Sequence, residues 1–244
     1  MSNNNKLSFK NITFIFSDDI AKDKDESFYE RFFDRASILK SNDVSSCDGR
    51  GKTLLFKLDN KDLILRHYNR GGLFGKLVKD RFFLFESNAH RAIDEFNLLN
   101  YMVSQGLKVP RPVIAREQRN LMSVSQDIVI ERLVGFSDLS KVISKRHLTK
   151  AEFIEIGKTI KQFFDKDIHH TDLNIRNILI DDKCNVYVID FDKCFNTKLN
   201  TDLKLSMLSR LLRSFNKEVN KSDKNAVYFN ESDFEFLKQE ALKN

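Results

Sequence analysis

Asp172, Asn177 and Asp190 are the residues of this chain whose types and spacing together suit one reaction. They lie in the segment His169 to Asp192, HHTDLNIRNILIDDKCNVYVIDFD. Asp172 and Asn177 are five apart and bracket a short loop, and Asp190 follows Asp172 by eighteen residues. Two short apolar runs, Ile178 to Asp181 and Val186 to Ile189, flank the turn residues Asp182 to Asn185. A hairpin there brings all three polar residues to one end. Phosphoryl transfer from ATP needs such a set: one carboxylate to orient the attacking hydroxyl and accept its proton, with an Asn and a second carboxylate as hard oxygen ligands for Mg²⁺. Singly, each is an ordinary polar turn residue. Jointly, His170-x-Asp172-Leu173-x-x-x-Asn177-Ile178-Leu179 and Ile189-Asp190-Phe191 specify many positions at once. His170 reads as a structural histidine that packs or hydrogen-bonds the loop, and His169 is unassigned.

These positions resemble the catalytic loop and metal-binding Asp of the protein-kinase fold. The resemblance implies an α+β, two-lobed, protein-kinase-like fold, with a sheet-rich N-terminal nucleotide-clamping lobe over 1–134 and a mainly helical catalytic lobe over 135–244. The first lobe should then hold a cation on a strand, fixed by a Glu of the neighbouring helix, to place the α and β phosphates of ATP. Arg66 ends the run Leu63-Ile64-Leu65-Arg66, and Glu95 lies on the following helix. Lys57 on the preceding strand is the other candidate cation. Glu95 has a second reading as the i,i+4 surface partner of Arg91. Gly49-Arg50-Gly51, just before a strand, is a phosphate-covering turn or an ordinary hairpin turn.

The elements that must position these residues are legible as patterns. Thr53 to Leu58 and Leu63 to Tyr68 read as strands about the turn Asp59 to Asp62. Ser87 to Gln105 reads as a helix with Ala92, Phe96, Leu99 and Val103 on one face, stopped by Gly106. Residues 112–134 read as two more strands about Glu117 to Asn120. Beyond Gly135 the periodicity becomes helical. Thr149-x-x-Glu152 is a capping-box signature before Phe153, Ile156, Ile160 and Phe163. Leu203, Leu208, Leu211, Leu212 and Phe215 form a core stripe, and Ser232-x-x-Glu235 opens a last helix.

Composition narrows the setting. The 244 residues carry 41 Lys+Arg and 35 Asp+Glu, a formal charge of +6, as in ordinary soluble globular chains and unlike collagen, disordered tails or disulfide mini-proteins. Cys47, Cys184 and Cys194 are odd in number and lack paired metal-ligand spacing, which suggests free thiols in a reducing compartment and argues against a zinc site. No apolar stretch reaches the length of a membrane span, and Met1 to Lys10 has no apolar run of a signal peptide. A cytoplasmic protein is expected.

Several runs carry a closer resemblance. Gly49-Arg50-Gly51, Leu65-Arg66-His67-Tyr68-Asn69-Arg70-Gly71-Gly72-Leu73, Arg91-x-x-x-Glu95-Phe96-x-Leu98-Leu99, Val109-Pro110-x-Pro112, His170-x-Asp172-Leu173-Asn174-x-x-Asn177-Ile178-Leu179 and Ile189-Asp190-Phe191-Asp192-Lys193 resemble the Kdo (3-deoxy-D-manno-octulosonic acid) kinases, relatives of the lipopolysaccharide heptose kinases. The resemblance implies a peripheral enzyme on the cytoplasmic face of the inner membrane that uses ATP and Mg²⁺ to phosphorylate the 4-hydroxyl of Kdo on Kdo-lipid IVA. It puts the catalytic Asp on Asp172, while the kinase pattern makes Asn177 and Asp190 the candidate metal ligands and Gly49, Arg50, Gly51, Arg66 and Glu95 the candidate nucleotide contacts. Asn174 stands where serine/threonine protein kinases carry lysine, and no Ala-Pro-Glu segment follows. Asp192 is a second metal ligand or a loop residue.

Between Arg66 and Arg81 five basic residues (Arg66, Arg70, Lys76, Lys79, Arg81) face one acid, Asp80, with Phe74, Phe82, Phe83 and Phe85 close by. This suits an anionic inner-membrane surface and a phosphorylated glycolipid, or is a solvated loop whose phenylalanines join the core. Nucleic acid is not an expected partner. A heptose or protein kinase on the same fold, and a non-catalytic kinase-like module docking at membranes, are the alternative readings.

Overall fold

Asp59 and Asn60 both take positive φ, 52° and 62°, and the chain folds back there into an antiparallel hairpin that sets Thr53 opposite Arg66. Two-residue turns of this hand match the right-handed twist of the flanking strands. The turn is therefore shorter than expected, because Lys61 and Asp62 already belong to the second strand.

The structure, a computed structural model, describes residues 5–40, 45–46, 53–68, 82–83, 90–121, 123–221 and 227–243. In chain order these hold β1 (Asn5–Phe9), β2 (Ile12–Phe16), α1 (Glu26–Glu30), α2 (Arg35–Lys40), β3 (Ser45–Ser46), β4 (Thr53–Leu58), β5 (Lys61–His67), β6 (Phe82–Phe83), α3 (Arg91–Ser104), β7 (Pro112–Arg119) and β8 (Ser123–Glu131). After them come β9 (Ser137–Asp138), α4 (Leu139–Ile143), α5 (Lys150–Asp165), β10 (Ile168–His169), β11 (Ile178–Ile180), β12 (Val186–Val188), β13 (Phe195–Asn196), α6 (Thr201–Lys221) and α7 (Glu231–Ala241). The chain is α+β. It divides into two units, Met1–Tyr101 with Pro110–Val134, and Met102–Val109 with Gly135–Asn244.

In the first unit the sheet runs β1-β2-β7-β8-β5-β4-β3, with β6 paired to β8. Its core gathers Phe14, Phe16, Tyr29, Phe33, Leu54 and Leu65. The Tyr29 ring lies 5.5 Å from Phe14 and 5.1 Å from Phe16, and its hydroxyl donates to the Ala21 carbonyl at 3.1 Å. Burying one such ring contributes about 2 kcal/mol. The hairpin β1–β2 is not among the expected elements. Phe14, Ile15 and Phe16 are buried in succession, and without alternation a short apolar run does not tell a strand from a buried piece of helix.

In the second unit the expected capping box is formed: the Thr149 hydroxyl accepts from the Glu152 backbone N–H at 3.2 Å and the Glu152 carboxylate accepts from the Thr149 N–H at 2.7 Å. Arg146 adds a two-pronged pair to Glu152 at 2.8 and 2.6 Å. The face of α5 carrying Phe153, Ile156, Ile160 and Phe163 is buried. Gly157 allows close approach of α7, since a Cβ there would lie 2.4 Å from the Leu237 carbonyl oxygen. Helix α7 starts earlier than expected, with Asn230 at its N-cap and Ser232 already inside the first turn.

Helix α3 ends at Ser104, and Gly106, with a φ of 74°, follows as the expected stop. Ala92, Phe96 and Leu99 are buried as their spacing suggests, whereas Met102 takes the inward place and Val103 is half-buried. Residues 102–109 group with the second unit, so one cut at Gly135 does not divide the chain. The reason is local: the Lys108 carbonyl accepts from the Val188 N–H at 3.0 Å, and the Lys108 ammonium lies 5.7 Å over the Tyr187 ring.

Candidate active site

His170 shows how the polar loop of the second unit is held. It is buried, 3% exposed. Its Nδ1 accepts the Asp172 backbone N–H at 3.2 Å and its Nε2 lies 3.1 Å from the Ile189 carbonyl. Only a neutral ring protonated on Nε2 satisfies both contacts, and burial holds its pKa below the usual histidine value. The ring packs 4.9 Å from Phe191, which stacks on Phe163 at 5.8 Å. His170 thus joins the loop at Asp172 to the turn at Asp190.

Within that loop the side chains converge. Asn177 Nδ2 donates to the Asp172 carbonyl at 3.0 Å. Asn174 Nδ2 donates to the same carbonyl at 3.0 Å and to the Asp172 carboxylate at 3.1 Å. The hairpin β11–β12 pairs Ile178 with Val188, and the Ile189 N–H donates to the Asn177 carbonyl at 2.9 Å. Asn177 and Asp190 therefore leave the hairpin at one end. Asp190 takes a φ of 66°, a left-handed conformation that Asp tolerates better than most residues. The Cys194 thiol sits in the turn: the Thr171 N–H donates to Sγ at 3.4 Å, and Sγ lies 4.0 Å from the Asp190 carbonyl and 3.8 Å from that of Asp192. Ser214 on α6 closes the other side, its hydroxyl accepting from the Ile175 N–H at 3.0 Å and donating to Leu211 at 2.6 Å.

In the first unit, Arg66 of β5 forms an ion pair with Glu95 of α3. Glu95 is buried, 4% exposed, so its carboxylate is not that of a solvent-exposed surface residue. The Tyr68 hydroxyl donates to the same carboxylate and accepts from Arg66 Nη2 at 3.2 Å. Arg91 lies over the Tyr68 ring at 5.1 Å. Burial and the Glu95 charge push the Tyr68 phenol well above its usual pKa, so the phenol stays a donor. Lys57 points from an exposed position of β4. Gly49, Arg50 and Gly51 lie outside the described residues, as do 69–81 of the basic stretch.

Sequence reasoning assigned no role to Tyr68, Cys194 or Ser214. Tyr68 falls inside the quoted Arg-His-Tyr run, while nothing in the sequence marks the other two.

The donor set suits a magnesium ion. With Nδ2 of Asn177 turned to Asp172, its Oδ1 is left for a cation, and Asp190 adds a carboxylate. Among the described residues no group of three His, Cys, Asp or Glu is arranged to hold a metal. Asn177 and Asp190 would hold such a cation, with water and phosphate oxygens supplying the rest of its ligands, the usual habit of Mg²⁺.

The model of the lipopolysaccharide kinase (Kdo/WaaP) family matches residues 36–237. The chain belongs to this family. Among its relatives, a protein of Vibrio parahaemolyticus serotype O3:K6 named 3-deoxy-D-manno-octulosonic acid kinase is 40% identical over 206 residues, covering 84% of this chain and 85% of its own. One of the same name from Mannheimia succiniciproducens is 36% identical over 223 residues, 88% of this chain and 90% of its own. Among solved structures, WbdD, in a co-crystal with the kinase inhibitor LY294002, is similar with a TM-score of 0.50 and 14% identity. The match covers 81% of this chain and 45% of WbdD. The fold of this family member is thus kinase-like, a sheet-rich unit followed by a mainly helical one.

Proposed function

We propose that the protein is an ATP-dependent sugar kinase that transfers the γ-phosphate to the 4-hydroxyl of a Kdo residue on Kdo-lipid IVA, in lipopolysaccharide core biosynthesis. The observation that carries this reading is the loop in which Asn174 and Asn177 hold Asp172 beside the hairpin end that bears Asp190. Relatives about 40% identical bear the Kdo kinase name, which favours Kdo over heptose or a protein as acceptor.

Each unit offers its own part of the chemistry. The Asp172 carboxylate accepts the proton of the attacking hydroxyl as that oxygen bonds to the γ-phosphorus. The bond from phosphorus to the β–γ bridging oxygen breaks, and ADP leaves with its electrons. Asn174 fixes the carboxylate for this task. Arg66, held by Glu95 and Tyr68, offers a planar, permanently charged fork for the α and β phosphates. Asn177 and Asp190 would hold Mg²⁺, which when bound neutralises phosphate charge. We place the enzyme at the cytoplasmic face of the inner membrane as a peripheral protein, on the strength of its lipid acceptor and the basic run from Arg66 to Arg81. Among the described residues no helix is long and apolar enough to cross a membrane.

The test is transfer of labelled γ-phosphate from Mg·ATP to purified Kdo-lipid IVA, with heptosylated core and a generic protein as parallel acceptors and Asp172→Ala as control. Mass spectrometry locates the phosphate. Product on Kdo with wild type, and a loss of roughly 10²-fold or more with Asp172→Ala, is expected. Undiminished activity of that variant, or labelling of another acceptor alone, would sink the assignment.

A further inference from the structure

Helix α6 presents two faces. Met207, Leu208, Leu211 and Phe215 are buried, while Arg210, Arg213 and Lys217, at helical spacing, are exposed. The exposed basic residues line one side of a groove of about 360 Å³ whose other side is Asp172, Asn174 and Arg176. Four cations here face two carboxylates, Asp172 and Glu218. Arg176 is drawn to Glu218 at 3.3 Å, whereas Arg210, Arg213 and Lys217 make no ion pair among the described residues. Clustered like charges repel, so such a helix face gains from an anion seated on it. The volume is at the lower end of the range of small-molecule sites and suits about one sugar residue.

We propose that this groove is the acceptor subsite, in which Arg213 and Lys217, with Arg210 beside them, bind the carboxylate of the sugar acid being phosphorylated. The inference rests on the proposed function and deepens it by naming what selects the sugar. Guanidinium and ammonium groups recognise carboxylate and phosphate oxygens alike, and the acceptor glycolipid carries both. The carboxylate is favoured because Asp172 and Asn174 belong to the groove wall, so an anion held in it sits on the reacting sugar rather than on a remote part of the lipid. Ser214, between the cations on α6, fixes Ile175 of the loop by its hydroxyl. Acceptor cations and catalytic carboxylate are thereby tied to one frame.

The test measures equilibrium binding of Kdo-lipid IVA in detergent micelles, together with steady-state transfer, for the full-length wild type and for Arg213→Gln/Lys217→Gln. Removing two charge-assisted contacts should raise the acceptor Kd and KM roughly tenfold or more, with KM for Mg·ATP unchanged. Two acceptor arms need no variant: for wild type, esterifying the sugar carboxylate should weaken binding as the double substitution does, while removing the lipid phosphates should not. Transfer with unaltered acceptor KM in the variant would overturn the subsite and leave the Kdo kinase reading standing. Dependence on the lipid phosphates alone, or equal loss of binding to anionic vesicles lacking Kdo, would overturn it in favour of a lipid-docking face. Binding without transfer by wild type, lost in the variant and with the esterified acceptor, would uphold the groove and defeat the kinase assignment. Neither binding nor transfer would defeat both.

Discussion

Arg66 on β5 and Glu95 on α3, twenty-nine residues apart, form an ion pair whose acid is buried and whose base is partly exposed, with side-chain exposures of 3% and 22%. The acid is the fixed member and the base the one left able to meet a ligand. The Tyr68 hydroxyl adds its hydrogen bond to the same carboxylate. Arg66→Ala should therefore raise KM for Mg·ATP and also cost about 3 kcal/mol of stability by removing one cationic partner of a buried carboxylate. Tyr68→Phe should cost about 1.5 to 3 kcal/mol. Urea denaturation and steady-state kinetics on the two variants separate these effects.

Asn174 touches Asp172 through both its carbonyl and its carboxylate. Loss of that brace in Asn174→Ala should lower kcat about tenfold, the equivalent of one net hydrogen bond, while KM for Mg·ATP and the melting temperature hold. Unchanged kcat would show that the carboxylate needs no such support.

Acid should weaken the second unit through His170. Its folded pKa lies below the ordinary 6.5 because it is buried, so as pH falls through 6.5 the unfolded chain takes up a proton that the folded one refuses. Stability then rises with pH in that window and flattens above it. Half-buried His169, depressed by burial and by the charge of Arg210, acts in the same direction. Urea midpoints over roughly pH 5 to 8 should show the slope, and His170→Asn should reduce it.

Gly157 is the contact point of α5 with α7. Alanine is the better helix former by up to about 1 kcal/mol, yet its methyl would overlap the Leu237 carbonyl, an overpacking that costs about 1 to 3 kcal/mol. Gly157→Ala should therefore destabilise by about 1 to 2 kcal/mol in chemical denaturation.

What the sequence discloses depends on how locally the information is stored. The loop of the second unit is a contiguous run whose turn residues and short strands dictate their own hairpin, so the neighbourhood of Asp172, Asn177 and Asp190 is legible directly. The Thr149–Glu152 box is likewise written within four residues. Glu95 has two equal readings until the fold brings β5 against α3 and buries it. The Tyr68 contact is of the same long-range kind, and Ser214 reaches Ile175 across thirty-nine residues. Periodicity in α6 marks its buried stripe, with Leu203 and Leu212 only half-buried and Met207 fully so. The basic residues opposite look like any solvated helix face, because period alone reports what faces the core and not what faces a ligand.

The two-faced character of α6 also bears on how such an enzyme can diverge. Leu208, Leu211 and Phe215 secure the helix while Arg210, Arg213 and Lys217 stand on the other side of it. Substitutions among exposed residues cost little stability, so the preference for one anionic sugar over another can drift by mutation there without disturbing the core or the phosphate-transferring loop. A lineage built on this helix can change its acceptor long before it changes its chemistry.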